Sequence, residues 1–194
     1  MDFMKRSGLI CFFFILFFSV SRAQTSEDHV PAVDQSPMDM SYYPDNYPIL
    51  KVQDKTTIAP VARIIYSRPH LNGRVIVGGL LQYGKLWRMG ANEATEIEFF
   101  REVSISGKKI PKGRYTLYAI VNPDKWTIIL NKETDSWGAF LYDEKKDIVH
   151  ADVPVQQSSE YAEALSITFE KSTTGCNLAL VWDKIKISLP IAFK

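Results

Sequence analysis

The alternation of apolar and polar residues along the chain is the sequence feature that most constrains its fold. It is regular in four segments, at residues 95–99, 115–119, 165–169 and 185–189. A period of two places successive side chains on opposite faces of an extended strand, so each segment predicts a strand that is covered on one side. No long amphipathic helix accompanies these segments, and the pattern predicts an all-β fold.

Turn-forming residues separate the predicted strands. Gly107, Gly113, Pro123 and Gly175 each stand between two alternating runs, at the spacing of antiparallel hairpins. The sequence therefore predicts a single antiparallel β-sandwich, jelly-roll-like in type, with one long Gly-rich loop region.

The last predicted strands contain a change of phase. Apolar residues fall on even positions over residues 178–182 and on odd positions over residues 185–189. Because a slip of one residue would turn every side chain to the other face, we predict a bulge or tight bend at Asp183 and Lys184.

The first residues have the features of a secretory signal peptide, predicted over residues 1–23. Lys5 and Arg6 form a positive start, an apolar run follows, and Ser21 and Ala23 make a small-x-small cleavage site. The apolar run is shorter than the roughly 20 residues that a membrane span needs. We predict cleavage after Ala23, a secreted or periplasmic protein, and no membrane span in the mature chain.

Residues 24–52 are predicted to be a flexible tether that contains prolines. Pro31, Pro37, Pro44 and Pro48 are scattered among polar residues without periodicity, and proline resists helix interiors and central strands. The remaining residues, 53–194, then form one domain that is long enough to bury a core.

Composition argues against several classes of partner and cofactor. The formal net charge of +1 offers no basic surface for nucleic acid. After removal of the signal peptide the chain keeps only Cys176, so it has no internal disulfide and no multi-cysteine zinc site. His70 and His150 lack the spacing of metal ligands. We expect no cofactor and no bound metal.

Residues 66–95 hold an unusual density of special-purpose side chains, including three arginines and five glycines. Pro69 should end strand pairing, the Asn-Gly pair at residues 72–73 is a tight-turn signal, and a strand should restart over residues 74–77. The later glycines predict a long polar loop on a scaffold of strands. This is the usual anatomy of a binding loop.

The candidate ligand-binding residues combine arginine forks with amide, carboxylate and aromatic side chains. They are Arg68, Arg74, Tyr83, Trp87, Arg88, Asn92, Glu93 and Trp137. A guanidinium fork binds a carboxylate, a phosphate or sugar hydroxyls, and an indole face can stack on a sugar ring. A structural role remains open: Arg68, Arg88 and Glu93 could form an ion-pair network that holds the loop, and Trp87 could pack in the core.

Catalytic signatures are mostly absent from the sequence. It has no Ser nucleophile elbow, no HExxH motif and no phosphate-binding Gly-Lys-Ser/Thr loop. Two carboxyl groups can still supply the acid and base of glycoside hydrolysis, and Glu93 with Asp147 is the candidate catalytic pair. Glu96 and Glu98 share one face of a strand, which favours a solvated stripe.

Several motifs together resemble the DUF2911 family. They are SRP and NGR within residues 67–74, YGKxWRxGANEAT at residues 83–95, and tryptophan segments at residues 126–131 and 137–140. The resemblance covers about residues 53–192 and implies a secreted bacterial β-rich domain, with no established activity or cofactor. His150 stands where the family usually has arginine, three residues after Asp147.

Three functions remain open from the sequence. The first, which the residue pattern favours, is a non-catalytic module that binds a small polar molecule, a glycan or an envelope component. The second is a hydrolase of envelope carbohydrate that uses paired carboxylates. In the third, residues 66–95 are purely structural.

We expect the protein recovered after export to begin at Gln24, because signal peptidase accepts a small residue at position 23. N-terminal sequencing or intact-mass measurement checks this. Ala23→Phe should block or move the cut. An exported parent chain that still begins at residue 1 would contradict the prediction.

Overall fold

The computed structural model describes residues 31–194, and the predicted signal peptide and the first part of the tether lie outside them. Seven strands form the first sheet: β1 (Met38–Tyr43), β2 (Ala62–Ser67), β3 (Leu86–Trp87), β4 (Glu96–Phe99), β7 (Gly113–Val121), β8 (Lys125–Asn131) and β9 (Asp147–Pro154). Four strands form the second: β5 (Val103–Ile105), β6 (Lys108–Ile110), β10 (Gln156–Lys171) and β11 (Gly175–Ala192). The helical elements are α1 (Tyr47–Val52) and a 3-10 turn (Glu144–Lys146). None of the helices in this part of the chain has the length and apolar character to cross a membrane.

All paired strands in the two sheets run antiparallel. The first sheet has the order β1-β2-β4-β7-β8-β9, and the short β3 pairs with β7. The second sheet has the order β10-β11-β5-β6. These two sheets confirm the predicted antiparallel β-sandwich.

Strand β9 shows how the alternation builds the core. Val149, Ala151 and Val153 are buried, whereas His150 and Asp152 between them are exposed. Most buried residues of both sheets meet in one apolar cluster, and Ala94, Tyr118 and Ile129 form a second, small one. Period-two burial therefore gives each sheet one face in the core.

Three buried tryptophans join the two sheets: Trp87 on β3, Trp126 on β8 and Trp182 on β11. The rings of Trp87 and Trp182 stack, with centroids 5.9 Å apart and an interplanar angle of 18°. Trp87 meets Trp126 edge-on at 5.8 Å. Aromatic pairs at such distances add about 0.5–1.5 kcal/mol beyond their buried area. We call these residues the tryptophan trio.

The prediction of a flexible tether was wrong for residues 38–52, which form β1 and α1. β1 pairs with β2 along its whole length and becomes an edge strand of the first sheet. Pro37 and Pro44 stand just outside this strand, where they cost no ladder hydrogen bond. Pro48 lies in the first turn of α1, where a missing N–H is tolerated. These prolines thus lie at the ends of elements. Their scatter in the sequence therefore does not indicate a segment without structure.

The predicted irregularity at Asp183 is confirmed. Asp183 has a positive φ of 57° and pairs with Ala162 between two register shifts of the β10–β11 ladder. Burial changes phase there, from Leu180 and Trp182 before it to Ile187 after it. The bulge keeps apolar residues of both halves of β11 in the core.

Trp182→Ala should lower the free energy of unfolding by about 3–5 kcal/mol, because it removes buried contacts and leaves a cavity between the sheets. Urea denaturation followed by circular dichroism measures the change. Trp137, which is 60% exposed, offers the matched control. Trp137→Ala should change the free energy by no more than about 0.5 kcal/mol. Equal losses in the two variants would show that the tryptophan trio does not hold the sheets together.

Candidate functional site

A cleft of about 410 Å³ lies beside the tryptophan trio and is lined by two of its members. Most of the other lining residues come from residues 80–91. Arg74, Lys85 and Arg88 bring three cations to it, and no Asp or Glu of the described residues, 31–194, lines it. We call this space the cleft.

A tight turn before the cleft positions Arg74. Asn72 and Gly73 have φ angles of 49° and 71°, the left-handed pair of a type I′ turn. The Arg74 N–H donates to the Leu71 carbonyl at 3.0 Å. The Arg74 side chain donates from Nε to the same carbonyl at 2.9 Å and from Nη2 to the His70 carbonyl at 2.6 Å. The guanidinium is therefore fixed against the turn.

The strand predicted over residues 74–77 does not form. Instead the chain folds back on itself, with Leu80 N–H donating to Val75 O at 2.9 Å and Leu81 N–H to Ile76 O at 2.7 Å. These local bonds occupy carbonyls that a ladder would need, and Val75 is left 71% exposed. The segment is a compact loop that brings Leu80 and Leu81 to the cleft.

Gly78 and Gly84 give this loop its shape, with φ angles of 85° and 69°. A Cβ on Gly78 would lie 3.0 Å from the Tyr83 ring, so glycine is required for the close approach. The Gly84 N–H donates to Val121 O at 3.0 Å and ties the loop to β7. Tyr83 covers Gly78, is 49% exposed and does not line the cleft.

Three hydrogen bonds to backbone carbonyls hold the segment that carries Arg88. Trp87 Nε1 donates to Gly90 O at 3.1 Å. Thr95 donates from its N–H to Arg88 O at 3.0 Å and from its hydroxyl to Met89 O at 2.8 Å. Met89 has a φ of 56°, a left-handed conformation that costs a residue with a Cβ about 1–2 kcal/mol. Such strain persists only where the surroundings impose it, and it clusters at ligand sites.

The Arg88 side chain carries a hydrogen-bond donor that is not satisfied within residues 31–194. Its Nε is buried without a hydrogen-bond partner among residues 31–194. The ion pairs of this part of the chain do not include Arg88. Burial lowers the pKa of the guanidinium, and no neighbouring charge offsets that effect. Half-burying a cation without a counter-charge costs free energy.

Arg68 has the opposite environment. Its Nη1 pairs with the Asp39 carboxylate at 3.0 Å, and its Nε donates to Leu165 O at 2.9 Å. It thereby links β1 to β10, and it does not line the cleft. The structure therefore does not bring Arg68 to Arg88 and Glu93 as one site.

Asn92, Glu93 and Trp137 lie together outside the cleft. Asn92, with a φ of 57°, donates from its side chain to Asp34 at 2.7 Å and accepts from the Gly138 N–H at 2.9 Å. Glu93 and Trp137 form an isolated antiparallel bridge. These contacts fasten the loop between β8 and β9 to the segment before β4, with Trp137 left exposed.

Asp147 forms a separate polar cluster, in which its side chain is only 6% exposed. It accepts from Asn131 Nδ2 at 2.7 Å, lies 2.8 Å from His150 Nε2, and accepts from the Tyr142 hydroxyl. Burial and the Asp147 carboxylate raise the pKa of the Tyr142 phenol. Glu93 lines a different cavity, and Asp147 is not among the residues that line that cavity. Within residues 31–194, no group of three or more His, Cys, Asp or Glu side chains is placed to hold a metal ion.

A family model described as "Protein of unknown function (DUF2911)" matches residues 49–191. The chain belongs to the DUF2911 family. This match confirms the resemblance seen in the sequence motifs, and it begins within α1, ahead of the predicted domain start. Searches of curated proteins and of solved structures found no match.

The structure of this DUF2911 domain brings together only some of the predicted ligand-binding residues. Arg74, Trp87 and Arg88 line the cleft. Sequence reasoning missed Lys85 and Trp182, which also line it. Lys85 had a signal, because it lies in the Gly-rich stretch beside the predicted aromatic and arginine residues. Trp182 had none, because it reaches the cleft from β11 and no local pattern predicts that contact.

Arg88→Met should keep or raise the free energy of unfolding of the DUF2911 domain, because it removes a half-buried charge that has no partner among residues 31–194 and keeps an apolar stem. Arg68→Met is the matched control. It should lower the free energy of unfolding by about 1–2 kcal/mol, since Asp39 and the Leu165 carbonyl lose their donor. Urea denaturation measures both. If Arg88→Met destabilises as much as Arg68→Met, the Arg88 guanidinium has a structural role.

Proposed function

We propose that this DUF2911 domain is a non-catalytic binding module that holds a small polar ligand in the cleft. The observation that carries the proposal is the Arg88 guanidinium, half-buried at the cleft with no partner for its Nε among residues 31–194. A ligand that accepts hydrogen bonds from this group would offset the cost of burying the charge.

The size and rigidity of the cleft support this proposal. Its volume of about 410 Å³ falls in the range of small-molecule sites. Thr95 and Trp87 hold the backbone around Arg88 through hydrogen bonds, so little ordering is needed when a ligand binds. A preformed site of this kind raises affinity, because binding does not have to order the backbone first.

The lining chemistry supports binding over turnover. Among residues 31–194, no carboxylate, imidazole or thiol lines the cleft, so the Ser36 hydroxyl and the Lys85 amine lack a general base there. Glu93 and Asp147, the candidate pair for hydrolysis, both lie outside the cleft. We therefore do not extend the hydrolase hypothesis to this site.

The predicted signal peptide sets the context of the proposal. A secreted or periplasmic protein would meet small polar molecules, glycans and envelope components outside the cytoplasm. The near-neutral net charge of +1 gives no reason to add nucleic acid to these partners.

A thermal-shift screen against organic acids, phosphate compounds, oligosaccharides and cell-wall fragments tests the proposal. A ligand at 100 times its Kd should stabilise the folded state by about 2.7 kcal/mol, or about 5–10 °C for a domain of this size. Arg88→Met should remove most of that shift, and Trp137→Ala, outside the cleft, should retain it. If no compound shifts the parent protein, or if every shift survives in Arg88→Met, the cleft is not a binding site.

A further inference from the structure

The cleft lining divides into a cationic part and an apolar part. Arg74, Lys85 and Arg88 supply positive charge, and Leu80, Leu86 and two indoles of the tryptophan trio supply apolar surface. We infer that the ligand is an organic anion with an apolar body, whose carboxylate or phosphate head group meets the three cations. This inference rests on the proposed function and names its ligand class.

The three cations retain capacity to bind an anion. Arg88 Nε has no hydrogen-bond partner in the described part of the chain. Arg74 uses Nε and Nη2 for the carbonyls of its turn, which leaves Nη1 for a ligand. Lys85 joins none of the ion pairs found within residues 31–194. Because no carboxylate from residues 31–194 lines the cleft, an anionic ligand would supply the missing counter-charge.

The rest of the lining is poorly suited to a neutral sugar. Besides the three cations and the indoles, Gln82 and Ser36 are the lining residues with polar side chains. Both indole N–H groups are already donated to backbone carbonyls, at 3.1 and 3.4 Å. A sugar carries many hydroxyl groups, and these few polar side chains cannot pair all of those that the cleft would remove from water.

The apolar part of the cleft has surface left to cover. Leu80 is 44% exposed and Leu86 is half-buried, although both line the cleft. An apolar ligand body placed against them would remove this surface from water, which is favourable. The same leucines offer nothing to a polar body.

Isothermal titration calorimetry with five probes separates the contribution of the anionic head group to affinity from that of the apolar body. Phenyl phosphate and phenylacetate carry an anionic head and an apolar body. Benzyl alcohol lacks the charge, glucose 6-phosphate lacks the apolar body, and maltose lacks both. We expect the two phenyl anions to bind more tightly than the other three probes, and with an affinity that falls as salt is added.

Two variants and a control locate the binding. Arg88→Met should weaken phenyl phosphate binding about 10- to 100-fold, the loss of one or two charged hydrogen bonds. Lys85→Met, at an exposed position, should weaken phenyl phosphate binding to a smaller extent. This second variant keeps the test valid if Arg88→Met folds poorly. Lys112→Met removes the same charge from an exposed residue outside the cleft and should leave the affinity unchanged.

Each part of the inference has a result that overturns it. Equal binding of benzyl alcohol and phenyl phosphate would overturn the anionic head, and equal binding of glucose 6-phosphate would overturn the apolar body. If maltose binds in an Arg88-dependent manner and the phenyl anions do not, the ligand class is wrong while the proposed function stands. If no probe binds, or no affinity depends on Arg88 or Lys85, the inference fails, and the thermal-shift screen alone decides the proposed function.

Discussion

The stack of Trp87 on Trp182 is the contact on which the rest of the structure depends. It joins β3 of one sheet to β11 of the other, and the edge of Trp126 completes a dense aromatic core between them. β3 has only two residues, so its ladder contributes little and side-chain packing must hold it in place. The same two indoles also line the cleft. The packing of the two sheets therefore fixes part of the cleft wall.

The residues that follow Trp87 combine two unfavourable features. Met89 has a left-handed backbone, and the half-buried charge of Arg88 beside it has no ion-pair partner among residues 31–194. Natural domains keep only a few kcal/mol of net stability, so such costs persist where surrounding contacts offset them. The hydrogen bonds from Thr95 and the aromatic core provide that support. Strain and unpaired charge next to a cavity are the physical pattern expected of a site that a ligand completes.

Arg68 and Arg88 show why the roles of the two arginines could not be separated from sequence. Both lie in the same Gly-rich stretch, and both fit either an ion-pair network or a ligand site. The difference comes from Asp39, the partner of Arg68, which is carried by β1. Because the sequence pattern predicts a tether over this strand, it gives no reason to place the Asp39 carboxylate beside either arginine. Whether a charge is compensated depends on its neighbours in space. A prediction that omits the edge strand β1 therefore also omits the partner of Arg68.

The sequence by itself determined the features that depend on local periodicity and local turn chemistry. These are the two-sheet β fold, the left-handed Asn-Gly turn at residues 72–73, the bulge at Asp183, and membership of the DUF2911 family. Only the tertiary structure decided that Trp182 reaches the cleft, that Glu93 and Asp147 both lie outside it, and that Arg88 Nε has no partner among residues 31–194. Alternation sets which face of a strand is buried, whereas contacts between residues far apart in the chain depend on how two twisted sheets pack.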